Sequence, residues 1–232
     1  MKRAAFVVLI LLVFTISVPA AAFELSGGLW SVSEQDLIPE NQITYVYRAD
    51  LTLVEIGPLR LMGSSQYGGR LNLIADFIDL VRKSLDEEQL AEMDDFYILG
   101  GIAGKVRIDW PVYRQVSLIT SVGYDVLGHI GKQGETVEDI TSGLYGGITY
   151  GGGLGIEIVP GLKLAGVYEY TPTVKSLVGS EDSGSIQAVD VSIEYQIPVV
   201  LAKAGYRYQS LKLDNGGGHR LSGFYAGVGI HF

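Results

Sequence analysis

The sequence predicts an all-β chain: ten antiparallel strands closed into a barrel, apolar on the outside and polar within. Three observations predict it. Apolar and polar residues alternate with period two along ten successive stretches. The spacers between these stretches alternate short and long, and each of the four short ones holds a proline: Pro58, Pro111, Pro160 and Pro198. The composition, with 31 Gly, 14 Tyr and no Cys, favours strands and tight turns over helices.

Taken in order, residues 25–32 form a weak first strand and 33–41 a polar loop. Residues 42–56 set Ile43, Tyr45, Tyr47, Ala49, Leu51 and Leu53 against Thr44, Val46, Arg48, Asp50 and Thr52. Gly57-Pro58 turns the chain into strand 59–68. Strand 96–109 sets Ile98, Ile102, Val106 and Ile108 against Lys105, Arg107 and Asp109; Trp110-Pro111 turns it into strand 114–126. A polar loop, 127–142, leads to strand 143–158. Pro160-Gly161 turns into strand 162–170, and a further loop, 171–184, leads to strand 185–197. Pro198 turns into strand 200–210, and a short loop precedes the closing stretch. Proline cannot donate to a strand ladder, so it belongs at turns and strand ends. Eight or twelve strands are the alternative counts.

The same alternation suits a soluble barrel, apolar face inward, so the position of the aromatics decides. Trp110, Tyr195 and Phe232 stand beside the turns or the terminus. Tyr45, Tyr47, Tyr124, Tyr150, Tyr168, Tyr170, Tyr206, Tyr208 and Phe224 stand at the far ends of the same apolar faces. The separation matches the ~9–11 residues of a tilted spanning strand, so the two sets read as two interfacial girdles. The polar face mixes charge with small residues (Gly151, Gly153, Ala165, Gly205, Gly227), as a narrow lumen requires.

Before the strands stands a targeting segment. Lys2 and Arg3 precede an apolar run from Ala4 to Val18, Pro19 breaks it, and Ala20-Ala21-Ala22 offers a cleavage site. The run is shorter than the ~20 residues a spanning helix needs. Residues 1–22 are therefore read as a cleaved signal peptide and 23–232 as one barrel domain.

The closing stretch, His219–Phe232, reads H-R-L-S-G-F-Y-A-G-V-G-I-H-F and ends on an aromatic; Phe224, Ala226, Val228, Ile230 and Phe232 share one face. It resembles the final strand of bacterial outer-membrane β-barrels, with no specific subfamily. The resemblance implies an outer-membrane location, contact with its lipid, and both mature termini in the periplasm. It also implies that the barrel assembly machinery reads Phe232.

Residues 70–94 break the strand pattern. Leu71, Ile74, Ile78, Val81 and Leu85 step by three and four, and Ser84 with Glu87 forms a capping box. This predicts an extracellular helical insertion, read as a lid, a gate or wall of an apolar ligand site, or a helix lying on the outer leaflet.

The candidate site is the lumen. Arg48, Lys105, Arg107, Lys163, Lys203 and Arg207 face Asp50, Asp109, Asp125, Glu157, Glu169, Asp190 and Glu194, six against seven. Such near balance points to pairing, because an unpaired buried charge is very costly. Barrels of about eight strands are filled by side chains, whereas sixteen leave a channel. The sequence therefore points to a narrow or gated pore, or a structural barrel, that conducts poorly at rest; Arg207→Ala is expected to destabilise it and raise conductance. Two other classes are a cell-surface binding module, using the loops and the 70–94 helices for a small solute or apolar ligand, and an outer-membrane hydrolase. Against the last, Ser222 lies three residues after His219, on the opposite face, and only proximity links Asp214 to His219. No cofactor or metal motif is present. The net charge of −9 argues against nucleic acid, and the absence of cysteine excludes disulfides.

Overall fold

The computed structural model describes residues 24–36, 45–69, 96–132, 140–178 and 182–231. The stretch 1–22 expected as a signal peptide, the stretch 70–94 expected as a helical insertion, and Phe232 lie outside the described residues.

Ten strands form: β1 (Glu24–Asp36), β2 (Tyr45–Ile56), β3 (Leu59–Gly69), β4 (Phe96–Tyr113), β5 (Val116–Lys132), β6 (Ile140–Val159), β7 (Leu162–Ser176), β8 (Ser183–Gln196), β9 (Val200–Leu213) and β10 (Gly218–His231). Each pairs antiparallel with its sequence neighbours, and β1 also pairs with β10, closing the barrel. Closure leaves no free edge, so every strand finds its backbone partners within the sheet. The β1–β10 seam is drawn tight by glycine. Gly28 lies opposite Gly227, and a Cβ on Gly28 would come within 2.9 Å of the Ala226 carbonyl oxygen.

One rim carries the short turns and the first and last described residues; the other carries the longer connections. At the turn rim, Gly57 and Gly161 adopt φ of 57° and 82°, a region glycine enters without steric cost. Pro58 and Pro160 sit beside them, as expected. Pro111 does not turn the chain: β4 continues to Tyr113 and the turn falls at Arg114-Gln115. The ladder register shifts between Pro111 and Tyr113, which absorbs the N–H that proline lacks.

The larger correction is at the loop rim. The stretches 127–142 and 171–184, expected as polar loops, are largely strand. β5 runs on to Lys132, β6 starts at Ile140, β7 reaches Ser176 and β8 starts at Ser183. These extensions carry the strands past the aromatic band and build a collar.

Candidate functional site

In the turn-side half, the outward face is apolar and exposed: Leu61, Ile102, Val122, Leu154, Ile193 and Val228 lie along it. Of the aromatics on that face, Tyr45, Tyr47, Tyr124, Tyr150, Tyr168, Tyr206 and Phe224 are exposed towards the loop side, and Trp110 and Tyr195 near the turns. Tyr170 and Tyr208 are half-buried. Tyr206 meets Phe224 edge-on at 5.2 Å, and Tyr168 stacks on Tyr170 at 6.4 Å.

Inside this half, strand alternation places the charged residues in one layer. Two pairs are local. Arg48 Nε donates to both Asp50 oxygens, at 2.8 and 2.9 Å; Arg107 donates through Nε and Nη2 to Asp109, at 2.6 and 3.0 Å. Residues two apart on a strand share a face, which makes these pairs possible. Two pairs join adjacent strands in register: Lys203 with Glu194 at 3.1 Å, and Arg207 with Asp190 at 3.3 Å. Two cross the lumen from β4 to β7: Lys105 to Glu169 at 2.5 Å, and Lys163 to Asp109 at 2.8 Å. Tyr225 donates its hydroxyl hydrogen to the second Asp190 oxygen at 2.8 Å. The structure thus brings together every member of the candidate charge set except two. Glu157 is exposed beside its turn, where it accepts from the Gly161 backbone N–H at 3.4 Å. Asp125 faces the lumen without an ion pair among the described residues.

The loop-side half is the reverse. Trp30, Val46, Leu99, Leu127, Tyr145, Val174, Ile186, Leu211, Leu213 and Leu221 pack against one another inside the collar. Seven of them, Trp30, Val46, Leu99, Leu127, Val174, Leu211 and Leu221, are no more than 2% exposed. Outside them stand the exposed polar residues Ser142, Lys175, Lys212 and Arg220. The sequence held one signal of this layer: Val46 and Leu221 lie on the face otherwise occupied by charge. Arg207 joins the two layers, its guanidinium lying 6.0 Å from the Trp30 ring centroid.

Two histidines stand in the collar, beyond the aromatic band. The His129 ring stacks on Tyr145 at 6.1 Å and meets the His219 ring edge-on at 6.3 Å. Burial pushes both imidazoles below their ordinary range, His219 to about 3, so both are neutral. Neither His219 nitrogen has a hydrogen-bond partner among the described residues. Asp214 is engaged by the Ser183 hydroxyl, so the Asp214–His219 couple does not assemble.

Below the collar lies a polar chamber of about 900 Å³, counting its open mouth, bounded by Arg60 and Glu24 near the turn rim and by Arg48 and Arg207 at its top. A smaller space, about 400 Å³ when the solvent it opens to is counted, shares Arg48, Lys105, Glu169 and Arg207 with it and adds Asp125 and Gln209.

No family model matches the chain, and neither does any curated protein. Solved structures similar to it include Neisserial surface protein A (13% identity, 91% of this chain and 97% of that one, TM-score 0.43). Others are the N-terminal β-barrel domain of Pseudomonas aeruginosa OprF (11% identity, 91% and 98%, TM-score 0.39) and the Escherichia coli outer membrane protease OmpT (10% identity, 91% and 93%, TM-score 0.41).

Proposed function

We propose that this chain is an outer-membrane barrel whose lumen is closed at rest by two unlike layers in series. The short turns and both termini face the periplasm, and the collar stands on the outer side. The observation that carries the closed state is the apolar layer: Trp30, Val46, Leu99, Leu211 and Leu221 fill the collar with almost no exposed surface. A hydrated ion crossing it must shed water among groups that offer nothing in return. The outer-membrane reading is supported by the exposed apolar faces in the turn-side half, which only lipid can cover without penalty, and by the aromatics at their two ends. On this reading residues 1–22 are removed on export and Phe232 serves assembly.

The layers differ in what each can do. The charge layer sets what can wait in the chamber; the apolar layer sets whether anything passes. Arg207→Ala alone then leaves the barrel closed, contrary to the expectation from sequence, because the apolar layer still stands in the path. Purified protein in a planar bilayer tests the reading. It should show no steady conductance, nor should Arg207→Ala, whereas Arg207→Ala combined with Leu127→Ala and Leu211→Ala should open measurable events. A large, steady, ion-selective conductance in the unaltered protein overturns it.

A further inference from the structure

The top of the chamber holds three buried polar atoms with no hydrogen-bond partner among the described residues: Arg207 Nε, Gln209 Oε1 and Asp125 Oδ1. All three side chains line the same space, directly beneath the apolar layer. Arg207 is 8% exposed and Gln209 5%. Orphaned buried polar atoms are uncommon, and a charged one is the costliest kind. Here one donor and two acceptors converge on one cavity.

The neighbours do not relieve them. The Arg207 bond to Asp190 uses Nη1 and is long, at 3.3 Å, while Tyr225 takes the other Asp190 oxygen. Arg48 is already committed to Asp50 through both of that carboxylate's oxygens. Arg48 and Arg207 line the same space and repel one another. Lys105, the remaining cation there, is held by Glu169 across the lumen. The Arg207 Nε edge is thus left for an anion, and Asp125 Oδ1 and Gln209 Oε1 are left for a donor, the Asp125 carboxylate otherwise meeting only the Thr149 hydroxyl among the described residues.

We propose that this cavity is a binding site for a small zwitterion of amino-acid size. Its carboxylate meets Arg207 on the side of Arg48, and its ammonium meets Asp125 and the Gln209 carbonyl. A zwitterion answers both demands and brings no net charge into a layer already near balance. A simple anion leaves Asp125 unanswered, and a simple cation meets the two guanidiniums. Water can hydrogen-bond each atom singly, but it does not offset the repulsion between Arg48 and Arg207. The chamber opens at the turn rim, so the ligand enters from that side and stops at the apolar layer.

Calorimetric titration of the folded barrel in micelles tests this, with glycine as the probe and acetate and methylammonium as its two halves. Glycine should bind saturably, and each half should bind at least about tenfold more weakly, since each forfeits one set of charge-assisted bonds. Asp125→Asn and Gln209→Met should each weaken glycine by about tenfold or more, with the strand circular dichroism unchanged. Should a variant not fold, the comparison of glycine with its halves on the unaltered protein decides alone. Acetate binding as tightly as glycine overturns the zwitterion in favour of a plain anion site. Glycine binding untouched by Asp125→Asn places the ligand elsewhere. No binding of any probe means that water alone fills the space. Conductance is not read in these titrations, so the binding site and the closed lumen fail separately.

Discussion

The turn-side half and the collar are built from the same strands with the same period-two alternation, yet they are turned inside out relative to each other. Along β9, Ala202, Ala204 and Tyr206 face outward while Lys203 and Arg207 face the lumen. A few residues further on, Leu211 and Leu213 face inward and Lys212 outward. The change occurs near Tyr208 and Gln209, at the level of the aromatic band. On the proposed membrane reading, what the strand meets outside has changed there from lipid to water. The outer face follows its solvent, and the interior, now free to exclude water, packs like the core of a soluble protein.

The largest expected effect breaks that inversion at one position and spares its neighbour. Leu211→Asp places a carboxylate in a layer with no charged partner among the described residues, since His219 opposite it is neutral, and should cost more than about 3 kcal/mol. Lys212→Asp, one residue on and exposed, should stay within about 0.5 kcal/mol. The readout is the urea concentration at which the folded band disappears on an unheated gel. Similar shifts for the two variants would show that the collar has no apolar interior. In the turn-side half the polarity of the test reverses: Leu154→Arg, outward in the apolar band, should cost about 2–4 kcal/mol.

Much of this was legible in the sequence. The ten strands and their faces followed from alternation, and the turns at Pro58, Pro160 and Pro198 from the backbone limits of Pro and Gly. The collar was not legible, for a specific reason. Stretches such as 127–132 and 171–176 carry polar residues because their outer faces meet water, and polar stretches between apolar ones read as loops. Leu127 and Val174, which face inward there, become informative only once the strand is known to continue. Partner choice in the lumen was equally closed to inspection. Arg48–Asp50 follows from spacing, but Lys105–Glu169 depends on how the barrel closes, and Glu157, though in register opposite Lys163, lies beside the turn and accepts from the Gly161 N–H instead.

Removing the link between the two layers should rank next. Arg207→Ala leaves Asp190 with the Tyr225 hydroxyl as its one direct hydrogen bond among the described residues and with Lys203 and Arg48 further off, and it strips the guanidinium from Trp30. Breaking a buried pair from one side typically costs about 3–5 kcal/mol. Lys203→Ala, whose pair with Glu194 is more exposed at 23% and 22%, should cost clearly less by the same urea assay. Equal losses would mean that the depth of the pair does not matter.

Acid should weaken the collar through His219. Its pKa is about 3 in the folded chain against about 6.5 unfolded. A depressed pKa means that the unfolded chain takes up the proton first, so the stabilisation is complete above pH 6.5. It is lost as pH falls from there towards 3, by about 2 kcal/mol at pH 5. His129, which faces His219 across 6.3 Å, shifts in the same direction and adds to the slope. His219→Phe fits the apolar surroundings and should flatten the profile between pH 8 and pH 5. Parallel profiles for the two proteins would show that His219 is not shielded from water.

The smallest effect belongs to the mouth of the chamber, where neither layer excludes water. Arg60 Nη2 meets Glu55 at 3.0 Å, with about a quarter of each side chain exposed, 27% and 24%. Solvent screens such a pair, and holding two long side chains in one geometry costs rotamer entropy, so its net worth is below about 1 kcal/mol. Arg60→Gln should therefore barely move the urea midpoint, and raising the salt concentration should erase what difference there is. The variant still removes a charge at the entrance, so it should slow entry of an anionic probe without changing the stability of the barrel. A loss comparable to that of Arg207→Ala would show that the mouth is as closed to water as the middle, and the chamber would then have no opening at this rim.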